Sequence, residues 1–339
     1  MMRRLGTTAA LSLSVALIAC GSDSTNPGPS PDARIFDSPP PTIDGGTGPD
    51  AGPGSDAGPS GDAGPSFSGT VAIHSLAALD PTTGDVVANS TRIGQINVSF
   101  VQNPVPVESV NIPNGIAPCG AASFNLSDAV VGFNAGNVTF TITHGGAAGP
   151  TIPPCVFNTD TMAYQCGDTP IGDVIVDGDS VLVNYAGDGN HFAGYNKSVI
   201  AGLKPTLAVA TKTLLSSPLD VSGGADLTFA INEVVNAGTG IALVVVIDVT
   251  DATEFTADPT DIIGTNATKS ANLTCAAAFM NSLTIPKAML QVLGNLNPTR
   301  VRVSVFHDNS DLGLLGTNTN IVVGQGFIEF TTAASAAKR

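Results

Sequence analysis

From residue 67 onward, apolar and polar residues alternate along much of the chain. Ile96, Val98 and Phe100 alternate with Asn97 and Ser99, the period of two that marks a half-buried strand. Val138, Phe140 and Ile142 alternate with Thr139 and Thr141, and Leu227, Phe229 and Ile231 repeat the pattern. Val301, Val303 and Val305 alternate with Arg302 and Ser304. Ile241 to Val249 is almost continuously apolar, as expected of a strand covered on both faces. Val174-Ile175-Val176 and Val181-Leu182-Val183 flank Asp177-Gly178-Asp179-Ser180, which predicts a hairpin whose Asp-Gly supplies positive φ. Ile321 to Phe330 predicts a last strand, with Gly324 and Gly326 marking a bulge or kink. Helical spacing is confined to Pro286–Leu296, where proline suits the first turn. Strands every 8–15 residues or so, with turn residues between them, predict β-sandwiches.

A short internal echo divides the body. Asn137-Val-Thr-Phe-Thr-Ile142 aligns with Asp226-Leu-Thr-Phe-Ala-Ile231, and a turn of small residues precedes each. Leu203-Lys204-Pro205-Thr206 has the character of a linker opening a new strand. The expectation is an all-β protein with one sandwich over 67–205, a second over 206–332 and a flexible tail over 333–339.

Ahead of the body the texture is different. Met1-Met2-Arg3-Arg4 is a basic start, and Leu5–Ala19 is an apolar run broken only by small polar residues. This is the layout of a secretory signal over residues 1–19. Its apolar run falls short of the ~20 residues that span a bilayer. Leu17-Ile18-Ala19-Cys20 resembles the lipobox of bacterial lipoproteins. The resemblance implies cleavage before Cys20, with lipid on its sulfur and on the new amino group. Two acyl chains already anchor stably, at about 0.8 kcal/mol per buried CH₂. In the enteric sorting rule, Asp after the lipidated cysteine retains a lipoprotein in the inner membrane. Gly21 stands there, so the outer membrane is expected. Residues 20–66 then form a linker in which Asp-Ala-Gly-Pro recurs at 50, 56 and 62. Such a run buries too little apolar surface to offset its chain entropy. As a coil it would reach roughly 40 Å, and fully extended about 140 Å. It is expected to be a disordered stalk.

Two stretches of the body carry a further resemblance. One is Asp177-Gly-Asp-Ser-Val-Leu-Val183, continuing through Gly187, Gly189 and Phe192 to Val199–Pro205. The other is Leu273-Thr-Cys275 followed by Leu283-Thr-Ile-Pro-Lys-Ala-Met-Leu290. With the Asp-Ala-Gly-Pro linker, these resemble a family of lipoproteins abundant in myxobacterial-type genomes. The resemblance implies two tandem immunoglobulin-like sandwiches and carries over no catalytic residue.

Composition narrows the function. Thr, Asn, Ser, Gly and Pro abound while Glu, Lys and Arg are scarce, which favours strands and turns. The net charge of −15 excludes the basic patches that bind nucleic acid. It also repels anionic headgroups, leaving the Cys20 lipid to supply the membrane contact. Beyond Cys20 the cysteines number four, an even count that in an exported chain predicts disulfides. Cys155 and Cys166 flank a hairpin-like stretch and form the first expected pair, leaving Cys119 with Cys275. Neither CxxC nor a close histidine pair suggests a metal.

The histidines are His74, His144, His191 and His307. His307 beside Asp308 is the one arrangement that suggests acid–base chemistry, although a strand-end histidine next to a turn aspartate is the ordinary reading. No nucleophile elbow, zinc-helix motif or phosphate loop is present. Acidic turns are calcium candidates, chiefly Asp248, Asp251, Asp258 and Asp261, with Asp177, Asp179 and Asp188 as a second group. The absence of Trp argues against an aromatic sugar platform. The expected protein is a lipid-anchored, cofactor-free, non-enzymatic envelope module, structural or engaged with an envelope protein or glycan. The alternatives are a calcium-dependent adhesin or ligand-binding module and a hydrolase assembled from loops.

Overall fold

The computed structural model describes residues 67–332, apart from 81, 86–92, 103, 105, 113–118, 129, 167–173, 203, 234–240, 256–262, 279 and 313–318. The signal segment, Cys20, the linker, the tail, Asp258 and Asp261 lie outside the described residues. In chain order the first strands are β1 (Phe67–Ala78), β2 (Ile93–Gln102), β3 (Glu108–Ile112), β4 (Cys119–Asn125), β5 (Val131–Gly132) and β6 (Thr139–His144). There follow β7 (Ala147–Thr151), β8 (Val156–Asn158), β9 (Ala163–Gln165), β10 (Ser180–Gly187), β11 (Ala193–Ile200) and helix α1 (Val209–Leu215). The chain continues with β12 (Leu227–Ala230), β13 (Ile241–Thr250), β14 (Lys269–Ala278), β15 (Ser282–Ile285), helix α2 (Lys287–Gly294), β16 (Arg300–Leu312) and β17 (Thr319–Thr332). The fold is all-β with two short helices among the described residues.

One nine-stranded sheet, in the order β3-β4-β14-β13-β16-β17-β1-β2-β5, runs through the whole body. Against one of its faces lie two separate pieces. The four-stranded sheet β11-β10-β6-β7 covers Val71, Ile73, Val98, Phe100, Ile321 and Val323. The β12–β15 pair with α1 and α2 covers β4, β13, β14 and β16. Two cores result, side by side under one sheet. The internal echo now has a place: Phe140 and Ile142 of β6 seal the first core, while Phe229 and Ile231 seal the second.

The expected boundary at 205/206 does not separate two sandwiches. β4, from the first half, pairs with β14, and β1 pairs with β17. The described body forms one compact unit. Alternation reports that a strand is half-buried; it does not say which sheet the strand joins. Two local expectations also change. Val174–Val176 is not a hairpin arm, although Gly178 makes the expected positive-φ turn. Ile175 instead hooks onto β1, where Ser75 Oγ donates to its carbonyl at 3.2 Å and accepts its N–H at 3.1 Å. The chain after Thr206 opens α1 instead of a strand, Leu207 making a single bridge to Ile231. Pro286 stands at the N-cap of α2, which buries Met289, Leu290, Val292 and Leu293.

β1 and β17 are parallel, and every other described pairing is antiparallel. Both strands feed both cores: Val71, Ile73, Ile321 and Val323 enter the first, Ala77 and Phe327 the second. Between these sites Ser75 stands beside Gln325, whose Nε2 donates to Asp177 Oδ1 at 2.6 Å and to the Gly202 carbonyl at 3.0 Å. The cores therefore meet at a buried polar seam. Ser75→Ala strands both backbone groups of Ile175 away from water. We expect a loss of about 1–3 kcal/mol in urea unfolding, with an unchanged slope.

Candidate functional site

Successive residues of a strand point to opposite faces. His307 shares parity with Val301, Val303 and Val305 and faces the cores; Asp308 faces the other way. The two side chains therefore face opposite sides of the sheet, and Asp308 meets His74. Register sets the two residues on either side of Gly324, with His74 on β1 and Asp308 on β16. His74 Nε2 lies 3.4 Å from both carboxylate oxygens. Its ring stacks on Phe306, 4.4 Å between centroids. Gly324 allows this approach, because a Cβ there would overlap Asp308 Oδ1. Gly326 makes the same room for Phe306. The register runs unbroken through both glycines, so they are neither a bulge nor a kink.

The same outer face continues through Leu76, Val246 and Phe306 to a second charged pair. There Asp248 Oδ2 accepts from Arg302 Nε at 2.9 Å and Nη2 at 2.8 Å. Oδ1 of Asp248 and Oδ1 of Asp308 are both buried without a hydrogen bond. A His–Asp pair can orient an imidazole for proton transfer. Among the described residues His74 meets Asp308 and Phe306. A cleft of about 130 Å³ lies elsewhere, against Leu79, Leu207 and Phe327; Lys212 in its lining pairs with Asp85 at 2.6 Å.

The remaining acidic candidates hold backbone in place. Asp248 is committed to Arg302. Asp251 Oδ1 accepts the N–H groups of Thr268 at 2.7 Å and Lys269 at 2.9 Å, and Oδ2 accepts the Thr268 hydroxyl at 2.5 Å. Burial alone would raise its pKa, but these hydrogen bonds outweigh that and lower it. Asp177 Oδ1 accepts the Lys204 N–H at 2.8 Å as well as Gln325. Asp179 accepts from His144 Nδ1 and from the Val176 N–H, each at 2.7 Å. Among the described residues no group of three metal-ligating side chains forms.

At Asp188 the pattern is densest. Oδ1 accepts the N–H groups of Asn190, His191 and Phe192 at 3.0, 2.8 and 2.8 Å, and Oδ2 lies 2.8 Å from His191 Nδ1. Burial raises its pKa, yet these bonds together hold it far below the ordinary carboxylate range. The His191 ring lies against Phe67 and Phe133, at 4.3 and 4.8 Å. Nearby, Tyr164 accepts the Ala135 N–H and donates to the Gly136 carbonyl, both at 2.8 Å. Burial pushes this phenol up to about 12. The structure joins Cys119 to Cys275 across β4 and β14, and Cys155 to Cys166 beside the β8–β9 hairpin.

No family model matches this chain, and neither does any curated protein or solved structure.

Two measurements check these geometries. Gly324→Ala should cost about 1–3 kcal/mol through overpacking, and adding Asp308→Ala should recover part of it, because the carboxylate is what the new methyl strikes. Asp188 has a depressed folded pKa, so its stabilisation is present above its unfolded value of 3.8 and fades as pH falls through the lower folded value. Asp188→Asn should therefore cost roughly 1–2 kcal/mol at pH 7. The gap between wild type and variant should close below pH 3.8 in parallel denaturation curves.

Proposed function

We propose that this is a lipid-anchored protein of the bacterial cell envelope, a non-enzymatic interaction or structural module held at the outer membrane through Cys20. The observation that carries the reading is the order of the chain. A basic start, a short apolar run and Leu17-Ile18-Ala19-Cys20 lead into an acidic, repetitive linker, which leads directly into β1 of the body. No helix among the described residues is long and apolar enough to cross a membrane. The side chains that suggested chemistry are engaged structurally: Asp179, Asp188 and Asp251 bind backbone N–H groups, and Asp248 binds Arg302. The immunoglobulin-like likeness, in this reading, applies to the first core, where the four-stranded sheet faces β1, β2 and β17. Partners are envelope proteins or glycans met by the body at the end of its stalk.

The test is the processed amino terminus. Mass spectrometry should find mature protein beginning at Cys20 with acyl groups on its sulfur and amino group. Cys20→Ser should move the protein from the detergent phase to the soluble fraction with its melting temperature unchanged. A mature chain starting elsewhere, or carrying a bare thiol at Cys20, would overturn the reading.

A further inference from the structure

We infer that the body is built as a force-bearing seat for its tether, with β1 as the element that takes the load in shear. This rests on residues 20–66 being a tether, and it adds a mechanical function that anchoring alone does not require. The linker runs into Phe67, the first residue of β1. That strand is not at an edge of the sheet; β17 flanks it on one side and β2 on the other. Ten residue pairs join it to β17, from Gly69–Thr319 to Ala78–Ile328. Ten more join it to β2, from Phe67–Gln102 to Leu76–Ile93.

A pull at Phe67 along the strand axis loads both ladders at once. For β1 to yield, it must slip as a whole. A slip of one residue turns Val71 and Ile73, both fully buried, out of the core. Two further contacts fix the register. On the inner face Ser75 holds both backbone groups of Ile175. On the outer face His74 reaches Asp308 across Gly324. At the entry, Phe67 packs on Phe133 and His191, and the His191 imidazole is held by Asp188. The parallel sense of β1 and β17 completes the device. The start of β1 and the finish of β17 lie at opposite ends of one paired ladder, so drawing them apart shears the bonds and does not peel them. Drawing Phe67 away from Gln102, its partner at the same end of the β1–β2 ladder, opens the bonds one pair at a time.

Single-molecule pulling on the chain from residue 20 to 339 separates the two geometries. In the first, handles sit at the amino end and after Arg339. In the second, the carboxyl handle is replaced by one on Gln102→Cys, or on Pro104→Cys just beyond β2 if the first variant melts early. Forced unfolding reports the barrier along the pulled direction. The expected result is a rupture force several-fold lower in the second geometry at equal loading rate. Equal forces in the two geometries, or low-force unfolding in the first, would overturn the inference. The measurement uses unlipidated protein, so its outcome is independent of whether Cys20 carries lipid.

Discussion

The parallel ladder between β1 and β17 is the constraint on which the rest of the body depends. It joins the first described strand to the last, and each of its strands contributes apolar side chains to both cores. Without it the nine-stranded sheet would fall into two pieces, β5-β2-β1 and β17-β16-β13-β14-β4-β3. The first piece would then face the four-stranded sheet without Ile321 and Val323, which belong to β17. A parallel pair needs a crossover, and here almost the entire body serves as that crossover. Such a closing contact carries a large loop entropy, which must be overcome before the contact stabilises anything. The Cys119–Cys275 bond, which ties β4 to β14 across a separation of 156 residues, reduces that cost on the other side of the sheet.

Much of the strand content was legible, because a half-buried strand announces itself through a period of two. Ile96–Phe100, Leu227–Ile231 and Val301–Val305 lie in strands with the faces that their patterns predict. Continuous apolarity over Ile241–Val249 marked β13, an interior strand flanked by β14 and β16. The echo between residues 137–142 and 226–231 also had physical content, since each segment seals one core. Pairing was not legible. Nothing local tells β4 to seek β14, or β1 to seek β17, and the two cores share one sheet where two separate sandwiches are expected. Val174–Val176 misled for a related reason. Val174 and Ile175 fill the first core while Val176 is exposed, and the N–H groups of Ile175 and Val176 are taken up by Ser75 and Asp179 in place of a neighbouring strand.

The polar site was hidden more deeply. His307 and Asp308 are adjacent in sequence, and adjacency in a strand is the one spacing that guarantees opposite faces. The partner of Asp308 is 234 residues away, a separation no local motif can encode. A signal was nevertheless present. Gly324 and Gly326 sit within a strand rich in β-branched residues, where glycine is costly unless something approaches closely. The approaching groups are Asp308 and Phe306 from the next strand. The glycines were read as breaks in the ladder when they were clearances on its face. His74 could have been set on that face by parity alone, since Val71 and Ile73 point to the core.

The acidic turns follow from composition. A chain with 28 acidic and 13 basic residues cannot neutralise most of its carboxylates with cations. Backbone N–H groups are the other available donors, and turns expose them in clusters. Asp188 accepts three of them, Asp251 two, and Asp179 one together with an imidazole. At Asp188 and Asp251 these bonds favour the charged form and lower the pKa, which ties turn geometry to ionisation. At Asp179, Asp188 and Asp251 the carboxylate oxygens are thus turned toward backbone N–H groups.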